Sequence, residues 1–204
     1  PETFLPVPTL GPHLAAHGVQ THAFQHFSIA RSGLSTMLFP QVNVIPFRTL
    51  SDLWVSVPAF LENQRNGQLY TYIYWGELDE LSHRFGPHDR RVDLEFANFS
   101  FLFEYFYKEL RKSSRGDTLL LMTADHGHLH TPANPVYELK NHPELASCLH
   151  MIPSGENRLV YLYLRPGKEE QALNYINRTW PGDFVTLPSD QVIASGLMGI
   201  GQPH

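Results

Sequence analysis

Two short polar clusters hold the residue types for metal-assisted chemistry. The first is Asp79-Glu80-Leu81-Ser82-His83, followed by Gly86-Pro87. Asp79 and His83 stand four residues apart, so one helical turn places both side chains on the same face. A carboxylate oxygen and an imidazole nitrogen so placed can share one divalent metal. Spacing alone equally allows an exposed acid–histidine pair beside a turn. The second cluster is Asp125-His126-Gly127-His128. A carboxylate and an imidazole leave an apolar run together, and Gly127 lets the backbone turn sharply. The competing reading is a polar loop with surface histidines. His128 and His130 follow directly and are read as loop histidines, placed to support a metal or to meet a phosphate.

The elements that must position these clusters alternate between helix and strand. Leu10–His17 reads as a short helix capped by Gly18, and Val19–Phe24 as a strand. His26 to Pro46 reads as a long irregular connection. Thr49 or Ser51 is placed to cap a helix running to about Asn63, with apolar residues spaced by three and four and a kink expected at Pro58. Leu69–Trp75 is aromatic and β-branched, the pattern of a strand buried on both faces. Gly76–Asp89 reads as a polar loop. Asp89 to about Lys112 is the clearest helix, with Val92, Phe96, Phe99, Phe103, Phe106 and Leu110 along one stripe. Thr118–Ala124 reads as a second buried strand and runs straight into Asp125. Arg158–Leu164 reads as a third strand, Pro166 to about Thr179 as a helix, Phe184–Leu187 as a short strand and Ser189–Ala194 as a short helix. No linker or repeat divides the chain, so residues 1–204 read as a single domain. Strands separated by helices imply an α/β fold, three layers with a mostly parallel sheet between helices. In such sheets sites lie at the carboxyl ends of the strands, where both clusters fall.

Composition narrows the function. The chain has 204 residues, 42% of them hydrophobic, which is enough for a buried core. Its one cysteine, Cys148, excludes a disulfide scaffold and a cysteine-built zinc finger. One cysteine fits the cytoplasm and leaves export open. A net charge of −5 with no basic run lacks the footprint of a nucleic-acid binder. No apolar stretch nears the roughly 20 residues of a membrane-spanning helix. Twelve histidines permit metal chemistry. His13, His17, His22, His26, His88, His142 and His150 are scattered and are given no role.

Strand, Asp79-x-x-x-His83-x-x-Gly86-Pro87, long helix, strand and Asp125-His126-Gly127 together resemble the alkaline phosphatase superfamily. The order is most similar to its type I phosphodiesterase / nucleotide pyrophosphatase branch. The motifs span about residues 69–127, and the ordering on either side is compatible. The resemblance implies an alkaline-phosphatase-like fold and two zinc ions or other divalent metals. By similarity Asp79 and His83 bind one metal, and Asp125 and His126 bind the other. Two such ions, roughly 4 Å apart, clamp a phosphoryl group and activate a nucleophile. The implied substrate is a small phosphodiester or nucleotide pyrophosphate, attacked by a Thr or Ser.

The family pattern has further parts that the sequence does not match. A first metal-binding Asp and the nucleophile stand before the first motif in the family, and a third histidine stands late, in a His-Gly context. Arg31-Ser32-Gly33-Leu34-Ser35-Thr36 is the Ser/Thr-rich candidate, at a position better suited to a later loop. The expectation is therefore a domain incomplete at both ends, with the nucleophile upstream, half the ligands of each metal and weak occupancy. Other reactions stay open within the superfamily, namely phosphomonoester hydrolysis, sulfatase-like hydrolysis and phosphomutase chemistry. So does a non-catalytic member.

Overall fold

A computed structural model describes residues 5, 7–64, 67–113, 117–156 and 158–199. The chain divides into two compact units, residues 1–132 and 133–204.

The first unit is built on a three-stranded sheet, all parallel, in the order β2-β1-β3. The strands are β1 (Val19–His26), β2 (Asn43–Phe47) and β3 (Gln68–Ile73). β1 is central, and Thr21 to Gln25 are buried without a break. Only a strand covered on both faces shows such a run. On one face His22 and Phe24 meet Phe60 of α3 (Leu50–Asn63), with ring centroids 4.5 and 5.6 Å apart. On the other face Gln25 accepts a hydrogen bond from Ser35 Oγ of α2 (Gly33–Leu38). The α/β reading with a parallel sheet between helices therefore holds. α1 (Leu10–Ala16) packs beside β1.

The main core lies on the α3 face. Phe24, Phe47, Leu50, Leu53, Trp54, Val57, Phe106 and Leu110 form one buried cluster. Phe106 and Leu110 come from α5 (Arg90–Ser113), the long helix expected from the sequence. Part of its expected stripe fails, because Phe96 is exposed. α3 begins where Thr49 Oγ1 accepts the Asp52 N–H at 3.1 Å, while Asp52 Oδ2 accepts the Arg48 N–H at 2.9 Å. Each side chain satisfies a backbone donor at the helix start. Thr49→Ala should destabilise this unit by about 1 kcal/mol in urea unfolding, and Thr49→Ser should restore most of it. Equal midpoints for Thr49→Ala and the parent would refute the cap. Pro58 sits inside α3, yet the helix continues to Asn63.

Several elements differ from expectation. The stretch His26–Pro46 is not irregular throughout, since it holds α2 and most of β2. β2 contains Pro46 and is an edge strand, where a missing N–H is tolerated. β3 is buried on neither face as fully as expected. It is the other edge, and Tyr70, Tyr72 and Tyr74 share a half-exposed face partly covered by Phe39, 5.7 Å from Tyr72. The Gly76–Asp89 loop contains a helix, α4 (Glu77–Phe85). Thr118–Ala124 is not a buried strand. It has no ladder partner among the described residues, and Leu119 is 81% exposed. An apolar run becomes a strand only when a neighbour takes its backbone hydrogen bonds.

The second unit has its own core of Leu145, Cys148, Ala172, Ile176 and Trp180. These come from α6 (Pro143–Cys148), α7 (Glu169–Thr179) and the residue following α7. Buried His142 is held through both ring nitrogens, 2.7 Å from Tyr175 Oη and 2.7 Å from the Val136 carbonyl. Arg158–Leu164 does not extend a parallel sheet. Its β5 (Leu159–Tyr161) pairs antiparallel with β4 (Ser154–Glu156). Phe184–Leu187 forms no strand, and α8 (Ser189–Ala194) follows it. Among the described residues no helix is long and apolar enough to cross a membrane.

Candidate metal centre

The first cluster follows the carboxyl end of β3. Gly76 precedes α4, and Asp79 lies in its first turn. Glu77, Asp79 and Glu80 at the start and His83 and Arg84 at the end complement the helix dipole, which helps this polar segment stay helical. Gly86 ends it at φ 91°. A side chain there would be strained, and its Cβ would sit 3.3 Å from His130 Nδ1. Within α4 the four-residue spacing does what geometry requires, and His83 Nε2 lies 3.4 Å from Asp79 Oδ1.

The second cluster meets the same oxygen. His128 Nε2 lies 3.0 Å and His126 Nε2 4.0 Å from Asp79 Oδ1. Asp79, His126 and His128 form a group whose ligand atoms all lie within 4.8 Å of one another. The His83 ring stands edge-on to that of His128, with centroids 5.0 Å apart. Asp125 reaches this trio through His126. Its Oδ1 accepts the N–H of His126 at 2.9 Å, and its Oδ2 lies 3.6 Å from His126 Nε2.

Thus each motif pair stays close, and the two motifs also converge on Asp79. His128, read from the sequence as a loop histidine, stands nearer to Asp79 than either predicted imidazole. The available signal was the alternation His126-x-His128, since residues two apart in extended chain point to one side. His130 lies farther along, its ring 5.7 Å from that of His88. Arg31–Thr36 is engaged structurally. Ser32 caps α2 by accepting the Ser35 N–H, and buried Ser35 donates to Gln25.

The residues fit a cation. Asp79 Oδ1 is shielded from solvent and makes no hydrogen bond, although the side chain is 44% exposed overall. A shielded carboxylate oxygen without a donor is costly unless something positive faces it. Separations of 3.0 and 3.4 Å are close to the edge of a tetrahedron of metal–ligand bonds, about 3.3 Å for bonds near 2.0 Å. The Gly127 carbonyl, 3.2 Å from His126 Nδ1, can only accept, so in the neutral ring Nδ1 carries the proton. The Nε2 lone pair is then free on the side of Asp79.

Tyr74 borders the same field. Burial first, then the charges of Asp79, Asp125 and Glu77, hold its hydroxyl above the usual phenol range. Burial, then Tyr74, Tyr70 and Asp125, raise Tyr72 in the same way. Both therefore remain O–H donors at neutral pH. From residue type alone these tyrosines read only as packing residues.

A family model described as type I phosphodiesterase / nucleotide pyrophosphatase matches residues 20–189. The chain is also similar to alkaline phosphatase PhoV of Synechococcus elongatus, at 29% identity over 119 residues. That match covers 56% of this chain and 21% of the relative, so the chain spans about a fifth of that protein's length.

Proposed function

The chain belongs to the type I phosphodiesterase / nucleotide pyrophosphatase family, a family of hydrolases, and on that premise we propose that it carries metal-binding machinery for cleaving phosphodiester or nucleotide pyrophosphate bonds. The observation that carries the proposal is the convergence of both motifs on Asp79 Oδ1, a shielded oxygen without a hydrogen bond. In this reading Asp79 and His83 hold one divalent metal, zinc by preference, and Asp125 and His126 hold the other. Such a pair supplies Lewis-acid charge to phosphoryl oxygens and lowers the pKa of a bound nucleophile.

The chain's own groups prepare that chemistry. The Gly127 carbonyl can accept from His126 Nδ1, the tautomer that leaves the Nε2 lone pair for a metal. α4 holds Asp79 and His83 on one rigid turn. The Tyr74 hydroxyl, kept protonated, is a donor for an anionic substrate oxygen. The net charge of −5 does not oppose a phosphorylated substrate, because bound cations dominate the local field.

Asp125→Ala in the intact protein tests this reading. Hydrolysis of bis(p-nitrophenyl) phosphate should fall at least about 100-fold, and bound zinc should fall with it. Full activity with full zinc content would refute the assignment. The name of the cyanobacterial relative favours a second reading, phosphomonoester hydrolysis. Relative kcat/KM for p-nitrophenyl phosphate and its bis ester separates the two, with the diester preferred under the first.

A further inference from the structure

Gly76 stands between β3 and α4, where the backbone does not call for glycine. Its φ of −117° lies on the side of φ that L side chains adopt. What excludes a side chain is Tyr74. A Cβ at position 76 would lie 3.2 Å from both Cε1 and Oη of Tyr74, and 3.4 Å from its Cζ. The tyrosine ring occupies the space that a side chain at 76 would need. We propose that Gly76 is a positioning residue for Tyr74: its bare backbone lets the ring lie along the turn from β3 to α4 and sets the hydroxyl where it donates to an anionic oxygen of the substrate. The inference rests on the metallohydrolase reading above and names the residue that places one of its donors.

The backbones on both sides of the contact are tied down. The Tyr74 N–H donates to the Phe24 carbonyl at 3.1 Å, which fastens it to the central strand β1. The Gly76 N–H donates to Glu77 Oε2 at 3.1 Å, and the Gly76 carbonyl accepts the Glu80 N–H at 3.0 Å. An added methyl is therefore relieved by the Tyr74 side chain, which is 37% exposed and has solvent to move into. The ring must give by a few tenths of an ångström, and the hydroxyl moves with it.

Nothing else fixes that hydroxyl, since no group among the described residues bonds it. Packing against residue 76 sets its place. That place matters because the hydroxyl lies in the field of Asp79 and Asp125, one carboxylate from each motif. A donor there borders a phosphoryl group held between the motifs.

The test is steady-state hydrolysis of bis(p-nitrophenyl) phosphate by the intact protein, with bound zinc measured alongside. The parent, Gly76→Ala, Tyr74→Phe and the double variant are compared. A hydrogen bond to a charged oxygen is worth about 10–100-fold, and Tyr74→Phe should lose that much in kcat/KM. The diester oxygen is anionic before it reacts, so the loss should fall on KM and leave kcat near the parent's. Gly76→Ala should lose about 3–10-fold in the same parameter, because a shift of part of an ångström weakens a contact without removing it. Both variants should keep the parent's zinc content. In the Tyr74→Phe background Gly76→Ala should cost nothing further, since the ring still moves but no hydroxyl is left to misplace. A methyl that acted by disturbing α4 would lower kcat and zinc content in both backgrounds, and that result overturns the inference. A parent-like KM in Tyr74→Phe also overturns it, whether or not Gly76→Ala folds. Either result leaves the metallohydrolase reading standing. A parent with neither zinc nor activity overturns both.

Discussion

Replacing Asp79 with alanine should abolish activity in the intact protein without destabilising its metal-free fold. Asp79 Oδ1 is the point on which His83, His126 and His128 converge, at 3.4, 4.0 and 3.0 Å. Removing it takes away the carboxylate shared by both motifs. Metal-derived stabilisation of a phosphoryl transition state is worth several kcal/mol, and about 4 kcal/mol is a thousandfold in rate. Hydrolysis of bis(p-nitrophenyl) phosphate should therefore fall at least about 1,000-fold. The metal-free protein should respond little. Asp79 Oδ1 makes no hydrogen bond and the side chain is 44% exposed, so deleting it breaks no hydrogen bond of that oxygen. The chelator-treated variant should melt no lower than the chelator-treated parent. Added zinc should raise the melting temperature of the parent and leave the variant unmoved. Activity within tenfold of the parent would sink the assignment. A melting temperature well below the parent's in chelator would show that Asp79 supports the fold instead.

That split between function and stability explains what the sequence could reveal. The Asp79–His83 spacing was legible because four residues on a helix fix a distance whatever surrounds it. The helix carrying the pair was not legible. Glu77–Phe85 is too polar to display an apolar stripe, and its signals were the acidic first turn, the basic last turn and Gly86. The parallel sheet followed from alternation of elements, and the caps at Thr49 and Gly18 from residue type. β2 was missed because a short edge strand containing Pro46 lacks the usual pattern.

Burial was the quantity that misled. Tyr70–Tyr74 and Thr118–Ala124 have the composition of buried strands, and composition does not specify a neighbour. β3 has one paired edge and a face only partly covered, while residues 118–124 pair with nothing among the described residues. A buried run before them would have held Asp125 and His126 in place. In the structure, contact with α4 takes that part. His128 escaped because contacts across 49 residues decide its surroundings, and its nearest sequence neighbours do not.

The same contact logic makes Phe106 the residue on which α4 and its ligands depend indirectly. α5 packs against both α3 and α4, so the helix bearing Asp79 is braced by α5, which is anchored in the core. Phe106 is that anchor. It is 1% exposed and lies against Trp54 of α3, with ring centroids 4.6 Å apart, and Phe103 is 5.8 Å away. Phe106→Ala removes a buried ring and leaves a cavity that the aromatic cluster cannot close, at about 3–5 kcal/mol. Against a typical stability of about 5–15 kcal/mol, that is a large share. Phe101, on the same helix and 70% exposed, supplies the comparison, and its replacement by alanine should change stability by no more than about 0.5 kcal/mol. Urea unfolding followed by tryptophan fluorescence reads both, because Trp54 touches the altered site. The Phe106→Ala midpoint should drop sharply while Phe101→Ala stays near the parent. At urea concentrations where Phe106→Ala is half unfolded, its apparent zinc affinity should be about twofold weaker than in buffer, since only folded molecules present the ligands. A midpoint for Phe106→Ala equal to that of Phe101→Ala would mean that the α3–α5 contact does not brace the metal-binding helix.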